Sequence, residues 1–258
     1  MRQRAFGLSR TVFEVRKVVG VARILLALIL ITALIGDYDY VLGFATFVTS
    51  NFFSYFTVQS AIAAVVLFIL AAGIALRRAE DPPWLDIARV LVTSYMLVSG
   101  VVFLTIVIQS STRDYTIDVP WSSQLLHFWI PMLAVLDWLL DFGKARLGWK
   151  PLAWVVVYPV LWGAFTLVRG AWVGWYPYFF LDPVQVAGPI ETVLYCALAL
   201  ALMTGVAAGL IALTRVRWMP KWMRLVGQGE GAREPLEEPR ATQTARGSAA
   251  QPLGSRRR

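Results

Sequence analysis

The sequence predicts an all-α, polytopic membrane protein: a bundle of six transmembrane helices with both the N-terminus and the C-terminus in the cytoplasm. Hydrophobic residues make up 58% of the 258 residues and the mean hydropathy is +0.62, which lies outside the range of soluble domains. The apolar residues fall into six stretches of about 17 to 24 residues, each long enough to cross a bilayer. Lys and Arg gather at alternate ends of these stretches, as the positive-inside rule requires.

The chain divides into a leader, a membrane domain and a tail. Residues 1–18 form a basic cytoplasmic leader, residues 19–214 carry the six helices, and residues 215–258 form a basic cytoplasmic tail. The tail has ten Lys and Arg against four Glu and little to bury, so we expect it to be disordered. Its basic residues set topology and attract anionic lipid, or form a dedicated partner site. The predicted spans are residues 19–35, 53–76, 90–108, 121–141, 152–168 and 190–213.

The connections between the spans also carry signals. Asp37 and Asp39 are predicted to begin an outer loop, and Gly205 and Gly209 have the spacing of a small-residue packing face on the last span. The first span is longer than a signal-peptide core and lacks a small-residue cleavage site, so we interpret it as a retained helix. The loop after the fifth span is rich in aromatic residues that suit a membrane interface, namely Trp172, Trp175, Tyr176 and Tyr178.

His127 is the only histidine in the chain and lies inside the fourth span. An ionisable side chain in an apolar span is costly and marks a functional site by default. Pro131 has no N–H to bond the carbonyl of His127, so the helix should be disrupted at this level. Ser123 and Gln124 lie one turn earlier on the same side of the helix and can hydrogen-bond the ring or a molecule in a cavity beside it. The alternative is a neutral histidine that bonds a backbone carbonyl and only joins helices.

Polar residues concentrate at the predicted outer ends of the spans. Thr57 and His127 each lie about five residues into their spans, roughly 6 to 9 Å below the outer interface. A threonine hydroxyl beside a neutral imidazole is the minimum equipment for nucleophilic catalysis, although membrane threonines also commonly bond their own helix backbone. The polar residues at these ends are Ser54, Thr57, Ser60, Thr105, Gln109, Thr166, Arg169 and Glu191.

Several classes of site are excluded by the sequence. It contains no G-x-S-x-G, Walker A or H-E-x-x-H motif. One histidine and one cysteine, Cys196, cannot build a multi-histidine or cysteine metal centre or an internal disulfide. Asp137 lies about 15 Å from His127 along the same helix, so we interpret it as an inner-end partner for a cation. We therefore predict no metal and no cofactor, and no nucleic-acid partner because most of the positive charge lies in the tail.

Three segments resemble the androgen-induced-gene membrane protein family and its bacterial relatives. They are YFTVQS at the start of the second span, LLHFWIPMLAVLDWLL in the fourth, and YPVLWGAFTLVRGAWVGWYPYFFLDP across the fifth span and its loop. The similarity covers about residues 20 to 213. It implies a six-span threonine hydrolase that cleaves fatty acid esters of hydroxy fatty acids, with Thr57 as nucleophile and His127 as base. Bacterial relatives commonly read FTNLSN where this chain reads FTVQSA, so Val58 and Ala61 replace asparagines.

Other polar residues complete the hypothesis. Arg169 holds the carboxylate of a lipid substrate, or snorkels to the interface. Glu191 or Asp182 orients His127, or pairs with Arg169; the sequence does not choose between these roles. The oxyanion-donor candidates are Gln109 and Ser60.

Two other functions remain compatible with the sequence. A lipid or small-molecule transporter would use the same outer-side polar cavity as a path, with access from the inner face as well. A non-catalytic receptor or scaffold would keep His127 as a packing residue. The partners expected are a lipid substrate and the bilayer, and no oligomeric state is indicated. The basic inner loops fit a bacterial plasma membrane, which we expect, or an endoplasmic reticulum membrane.

Overall fold

The computed structural model of the protein describes residues 2–78, 80–111, 117–141, 144 and 146–215. Every regular element in these ranges is helical. The elements are α1 (Arg2–Leu42), α2 (Thr49–Phe52), α3 (Phe56–Ala75), α4 (Pro83–Ser111), α5 (Trp121–Gln124), a π-helical turn (Leu125–Trp129), α6 (Ile130–Leu140), α7 (Pro151–Val155), α8 (Val157–Val173), a 3-10 helix (Phe179–Leu181) and α9 (Pro189–Leu213).

Six helical segments are long and apolar enough to cross a membrane, which confirms the predicted class of a multi-pass membrane protein. The fourth segment combines α5, the π-helical turn and α6, and the fifth combines α7 and α8. The side on which the termini lie stays a prediction. The predicted disordered tail from residue 216 onward lies outside the described residues. The six segments are Phe13–Leu42, Phe56–Ala75, Pro83–Ser110, Trp121–Leu140, Pro151–Val173 and Pro189–Leu213.

The first helix is longer than predicted. Asp37 and Asp39 were expected to begin a loop, but α1 continues through both and ends at Leu42. Gly36 lets the helix pass close to α5, because a Cβ at this position would lie 2.5 Å from the Trp121 ring. Hydrogen bonds from α5 to Asp37 then satisfy the carboxylate within the bundle. Apolar run length alone therefore placed the end of this helix too early.

Small side chains bring α1 close to α3. Ala27 and Ala33 of α1 and Ala61 and Ala64 of α3 are all buried in one apolar cluster. The helix α4 packs against α3, α6 and α9, so it contributes to contacts on several sides of the bundle. The predicted packing face of Gly205 and Gly209 is not used within the described chain: both are exposed, and a Cβ at either would meet nothing within 4 Å.

Buried ion pairs join α1, α4 and the end of α6. Arg23 is 0% exposed and donates to Asp137 at 2.9 Å and to Asp141 at 2.8 Å. Arg89 donates to Asp137 at 2.7 Å and also bonds Asp141. The prediction that Asp137 is a partner for a cation is confirmed. Burial alone would raise the pKa of Asp141, but the guanidinium groups of Arg89 and Arg23 hold it well below its usual range.

A group of three carboxylates beside these ion pairs was not predicted from the sequence. Oxygen atoms of Asp81, Asp86 and Asp141 lie within 4.8 Å of one another, a spacing that a metal ion could bridge. Arginine side chains, however, lie among them: Arg23 is 3.6 Å from Asp81 and Arg89 is 3.5 Å from Asp86. The protein thus supplies its own counter-charges to this group, and we assign it to the ion-pair cluster.

Candidate active site

A polar cavity of about 330 Å³ contains both residues predicted to be catalytic. It lies where the end of α1, the starts of α3 and α5 and the second half of α4 meet. Its walls also include loop residues before α5 and before the 3-10 helix, and one residue of the π-helical turn. The lining residues are Asp37, Tyr40, Val41, Phe52, Tyr55, Thr57, Val58, Ser99, Phe103, Ile106, Ile117, Asp118, Pro120, Ser123, His127, Pro177 and Tyr178.

Thr57 lies in the first turn of α3 and is 8% exposed. Its hydroxyl is hydrogen-bonded to the hydroxyl of Ser99 on α4, and either group can be the donor. Ser60 donates to the carbonyl of Thr57 at 3.0 Å. The threonine side chain therefore bonds across to a neighbouring helix rather than to its own backbone. A hydrogen bond from Thr57 to His127 is not present among the described contacts, and the catalytic hydroxyl of a resting enzyme is often bonded elsewhere.

His127 lies in the π-helical turn and is 8% exposed. Because Pro131 offers no N–H at the normal helical position, the regular bond pattern fails here, and the predicted disruption takes the form of this wider turn. The ring Nδ1 lies 2.9 Å from the carbonyl of Ser123. A carbonyl can only accept, so Nδ1 carries a proton, and in the neutral imidazole Nε2 then keeps a lone pair. The ring also stacks on Phe103, with the centroids 3.8 Å apart.

The backbone at His127 is pressed against α4. A Cβ built on Gly100 would lie 2.2 Å from the carbonyl oxygen of His127. Only glycine leaves room for this approach, which places the freed carbonyl against a helix surface rather than in lipid. The position of the imidazole is consequently fixed by α4 as well as by its own helix.

Asp37 is linked to His127 through one intervening residue. Its Oδ1 accepts a hydrogen bond from Ser123 Oγ at 2.5 Å and from Ser122 Oγ at 3.3 Å, and the Ser123 carbonyl accepts from His127. The Asp37 carboxylate thus holds Ser123 in place, and Ser123 in turn holds the imidazole of His127. The sequence prediction missed Asp37 because it placed this aspartate in a loop. The available signal was that Asp37 directly follows Gly36 and continues the helical spacing of the apolar run.

Two hydroxyl groups lie beside Thr57. Ser99 is buried and bonds the threonine directly. The Tyr178 hydroxyl faces Thr57, and burial raises the pKa of Tyr178 to about 12, so this phenol stays protonated and can donate a hydrogen bond at neutral pH. The sequence assigned Tyr178 to a membrane-interface loop, whereas its ring packs in the cavity wall, 6.0 Å from the Tyr55 ring.

Arg169 lies away from the polar cavity. It donates to Asn51 Oδ1 at 2.7 Å and to Ser50 Oγ at 3.2 Å, and its guanidinium lies 5.6 Å from the centre of the Trp175 ring. It is not among the residues that line the cavity. Its role toward a substrate carboxylate stays a prediction, and the observed contacts give it a local role in holding α2 against α8.

The remaining predicted residues have local contacts. Asp182 accepts from the N–H of Val184 at 3.0 Å, and Glu191 accepts from the N–H of Ala187 at 2.6 Å. Neither forms an ion pair with Arg169 or lines the cavity within the described chain. Gln109, near the end of α4, is half-buried and also outside the cavity lining, as is Ser60, whose hydroxyl is engaged with its own helix.

The two positions that depart from the bacterial family pattern differ in their surroundings. Val58 is buried and lines the polar cavity, so an asparagine there would add a polar group to the cavity wall. Ala61 is buried in the cluster between α1 and α3 and belongs to the packing rather than to the site.

The fold and the cavity define a six-span integral membrane protein with a buried hydroxyl–imidazole site. Compared with protein-family models, with curated proteins and with solved structures, the chain finds no match. Membership of the androgen-induced-gene family therefore rests on the quoted motifs alone and is a proposal.

Proposed function

We propose that the protein is an intramembrane threonine hydrolase that cleaves long-chain lipid esters of the fatty acid–hydroxy fatty acid type. The observation that supports this most is that Thr57 and His127, which are both buried and lie on different spans, line one cavity. The Nδ1 bond to the Ser123 carbonyl leaves Nε2 of His127 as a proton acceptor, which is the state required of a general base.

The reaction begins when Thr57 Oγ1 exchanges its bond with Ser99 for one with Nε2 of His127. Oγ1 attacks the ester carbonyl carbon as Nε2 takes its proton. The tetrahedral intermediate collapses, the C–O bond to the alcohol breaks, and the imidazolium returns the proton to the leaving oxygen. Water, deprotonated by the same imidazole, then attacks the acyl-threonine and releases the carboxylic acid together with free Thr57.

The hydroxyls of Ser99 and Tyr178 are positioned to stabilise the oxyanion. Both lie beside the nucleophile, and fixed donors at a developing negative charge are commonly the largest contribution to such reactions. They take the place that the sequence hypothesis gave to Gln109 and Ser60.

The ion-pair cluster bears on the transporter alternative. A path across the membrane would have to continue from the polar cavity past Arg23, Arg89 and their aspartates, which are buried and paired with one another. Opening this cluster would separate several buried charges at high cost. The observed arrangement favours a site that opens on one side only.

The test is labelling of the purified protein with a fluorophosphonate probe, followed by peptide mapping. We expect an adduct on Thr57 in the wild type and none in Thr57→Ala. His127→Ala should label at least about a hundredfold more slowly, as loss of a general base implies. Thr105→Ala is the matched control, because Thr105 is exposed and bonds its own helix at Val101; it should label normally. A folded wild-type protein that is not labelled at Thr57 would refute the proposal.

A further inference from the structure

A second cavity adjoins the active site. Its volume is about 300 Å³, and it lies between α4, α8, α9 and the 3-10 helix. This size falls at the lower end of the range of ligand pockets. Apart from two hydroxyls, the Trp162 indole and the thiol of Cys196, the side chains around it are apolar. The residues that line it include Ser99, Gly163, Tyr178, Cys196, Ala199 and Met203.

The two cavities share part of their walls. Ser99 and Tyr178 line both of them, and these are the two residues that contact the Thr57 hydroxyl. The nucleophile lines the polar cavity and bonds the side chains of the wall that the two cavities share, so it lies beside the boundary between them. A molecule that extends from one cavity into the other has to pass this boundary.

The chemical character of the two cavities differs. The polar cavity contains the carboxylates of Asp37 and Asp118, and an alkyl chain placed there would desolvate them. The apolar cavity presents few polar atoms, and the Trp162 indole is already committed, since it donates to the Ser54 carbonyl at 3.1 Å. An alkyl chain is therefore favoured in the apolar cavity and disfavoured in the polar one.

We propose that the apolar cavity is the subsite for the acyl chain of the ester, with the ester carbonyl at the Ser99 and Tyr178 wall and the alcohol portion in the polar cavity. This inference rests on the proposed hydrolase function and adds the orientation of the substrate. It predicts selection for long, unbranched acyl groups, and it identifies Gly163 and Ala199 as residues that determine the usable chain length.

Cys196 provides a direct measure of occupancy. It is the only cysteine in the chain, it lies in the cavity wall and it is half-buried. The experiment follows alkylation of Cys196 by a small maleimide in lipid nanodiscs, using intact mass, with palmityl alcohol or butanol as the added ligand. Neither alcohol can be hydrolysed, so the measurement does not depend on catalysis. At ten times its Kd, palmityl alcohol should slow alkylation about tenfold, and butanol should not.

Two comparisons separate a specific subsite from a general effect of lipid. Gly163→Leu should abolish the protection, because Gly163 lines the cavity and a Cβ there meets nothing within 4 Å, so there is room for a side chain that takes up part of the space. Gly209→Leu, on the exposed face of α9, should retain it. A protein with Cys196→Ser and Leu198→Cys reports from the lipid-facing side of the same helix, where the side chain is 66% exposed; its thiol should show no protection.

Activity supplies a second readout. Each buried methylene contributes about fourfold in affinity, so excluding two of them by Gly163→Leu should lower kcat/KM for a palmitoyl ester about fifteenfold. Gly209→Leu, which lies outside the lining of both cavities, should leave kcat/KM for the palmitoyl and the butyryl ester nearly unchanged.

The outcomes of the two experiments are distinguishable. If palmityl alcohol does not protect Cys196 while Thr57-dependent hydrolysis of palmitoyl esters proceeds, the acyl chain lies elsewhere and the subsite proposal is overturned, whereas the hydrolase proposal stands. Protection that is lost in Gly163→Leu, in a protein that shows no labelling at Thr57, would establish a lipid-chain site and refute the hydrolase.

Discussion

The imidazole of His127 is held by contacts of three kinds: a hydrogen bond to the Ser123 carbonyl, a stacked Phe103 ring and the close approach of Gly100 to its backbone. Of these three contacts, only the hydrogen bond to the Ser123 carbonyl determines which ring nitrogen carries the proton. Because Asp37 bonds the Ser123 side chain, the carboxylate acts on the imidazole indirectly, as a positioning residue.

Replacing Asp37 by asparagine tests this role. We expect Asp37→Asn to lower kcat about tenfold, equivalent to ~1.4 kcal/mol, because Ser123 loses a charged acceptor. KM should stay unchanged and the rate of fluorophosphonate labelling should fall by the same factor as kcat. Asp39→Asn is the control, since Asp39 lies two residues further along α1, is exposed and does not line the cavity. Equal losses of activity in both variants, or a loss confined to KM, would argue against positioning.

Among single residues, the sequence identified those with distinctive side-chain chemistry and missed those whose role depends on their position in the fold. A lone histidine in an apolar span and a threonine near the start of another were visible as candidates, and both line the cavity. Ser99 and Tyr178 were not visible, because a serine in a membrane helix and a tyrosine in an aromatic loop are common. Ser99 and Tyr178 differ from the other serines and tyrosines only because α4 and the loop before the 3-10 helix bring them against the start of α3.

The π-helical turn is the element on which the site depends. It widens the helix where Pro131 cannot donate and presents the carbonyl of His127 to Gly100 on α4. The proline predicted a disruption at this level, but not its form or the helix that accommodates it. The partner is a glycine on another span, and no local pattern connects the two positions.

Adding one methyl group at Gly100 should disturb this element. In Gly100→Ala the Cβ would lie 2.2 Å from the His127 carbonyl oxygen, so the helices must separate. We expect a loss of about 1–3 kcal/mol in the free energy of unfolding and a lower rate of labelling at Thr57. Thermal unfolding followed by intrinsic tryptophan fluorescence measures the first effect.

Gly73→Ala is the matched helical control for that experiment. A Cβ at Gly73 meets nothing within 4 Å, and alanine favours the helix by up to about 1 kcal/mol over glycine. This variant should be as stable as the wild type or more stable. If Gly100→Ala behaved in the same way, α4 would not be fixing the position of the turn.

At the scale of the whole molecule, the residues that the structure describes show two kinds of buried polarity in different parts of the bundle: the cavity with Thr57 and His127, and the ion-pair cluster. The six spans could be predicted from composition and charge, because the hydropathy of a segment depends only on its own residues. The cluster could not be predicted in this way, because its hydrogen bonds join residues that are 48 to 118 positions apart in the sequence; only the ion pairs of Arg89 with Asp86 and Asp81 are local. Of its members, only Asp137 could be assigned a role in advance, from its place at the end of a span.

The cluster should dominate the stability of the bundle. Arg23→Ala removes one of the two cations that Asp137 and Asp141 share and is expected to cost about 3–5 kcal/mol. Arg23→Met combined with Asp137→Leu should recover part of this loss, because one charge of each sign is removed. Lys17→Ala, which breaks an exposed pair with Glu14 on the same helix, should cost less than about 1 kcal/mol. Unfolding midpoints in detergent, compared across these variants, provide the measurement, and equal midpoints for Arg23→Ala and Lys17→Ala would contradict it.

The wide sequence separation within the ion-pair cluster constrains how the protein is made. Arg23 lies in the first span, and its partner Asp137 is 114 residues further along the chain. At ~5–20 residues per second of translation, roughly 6 to 23 seconds separate their synthesis. During that interval Arg23 belongs to a helix that has already emerged from the ribosome, and its guanidinium lacks Asp137 and Asp141, the carboxylates that later pair with it. The first helix should therefore stay beside the insertion machinery, and settle in the bilayer only when the fourth helix arrives.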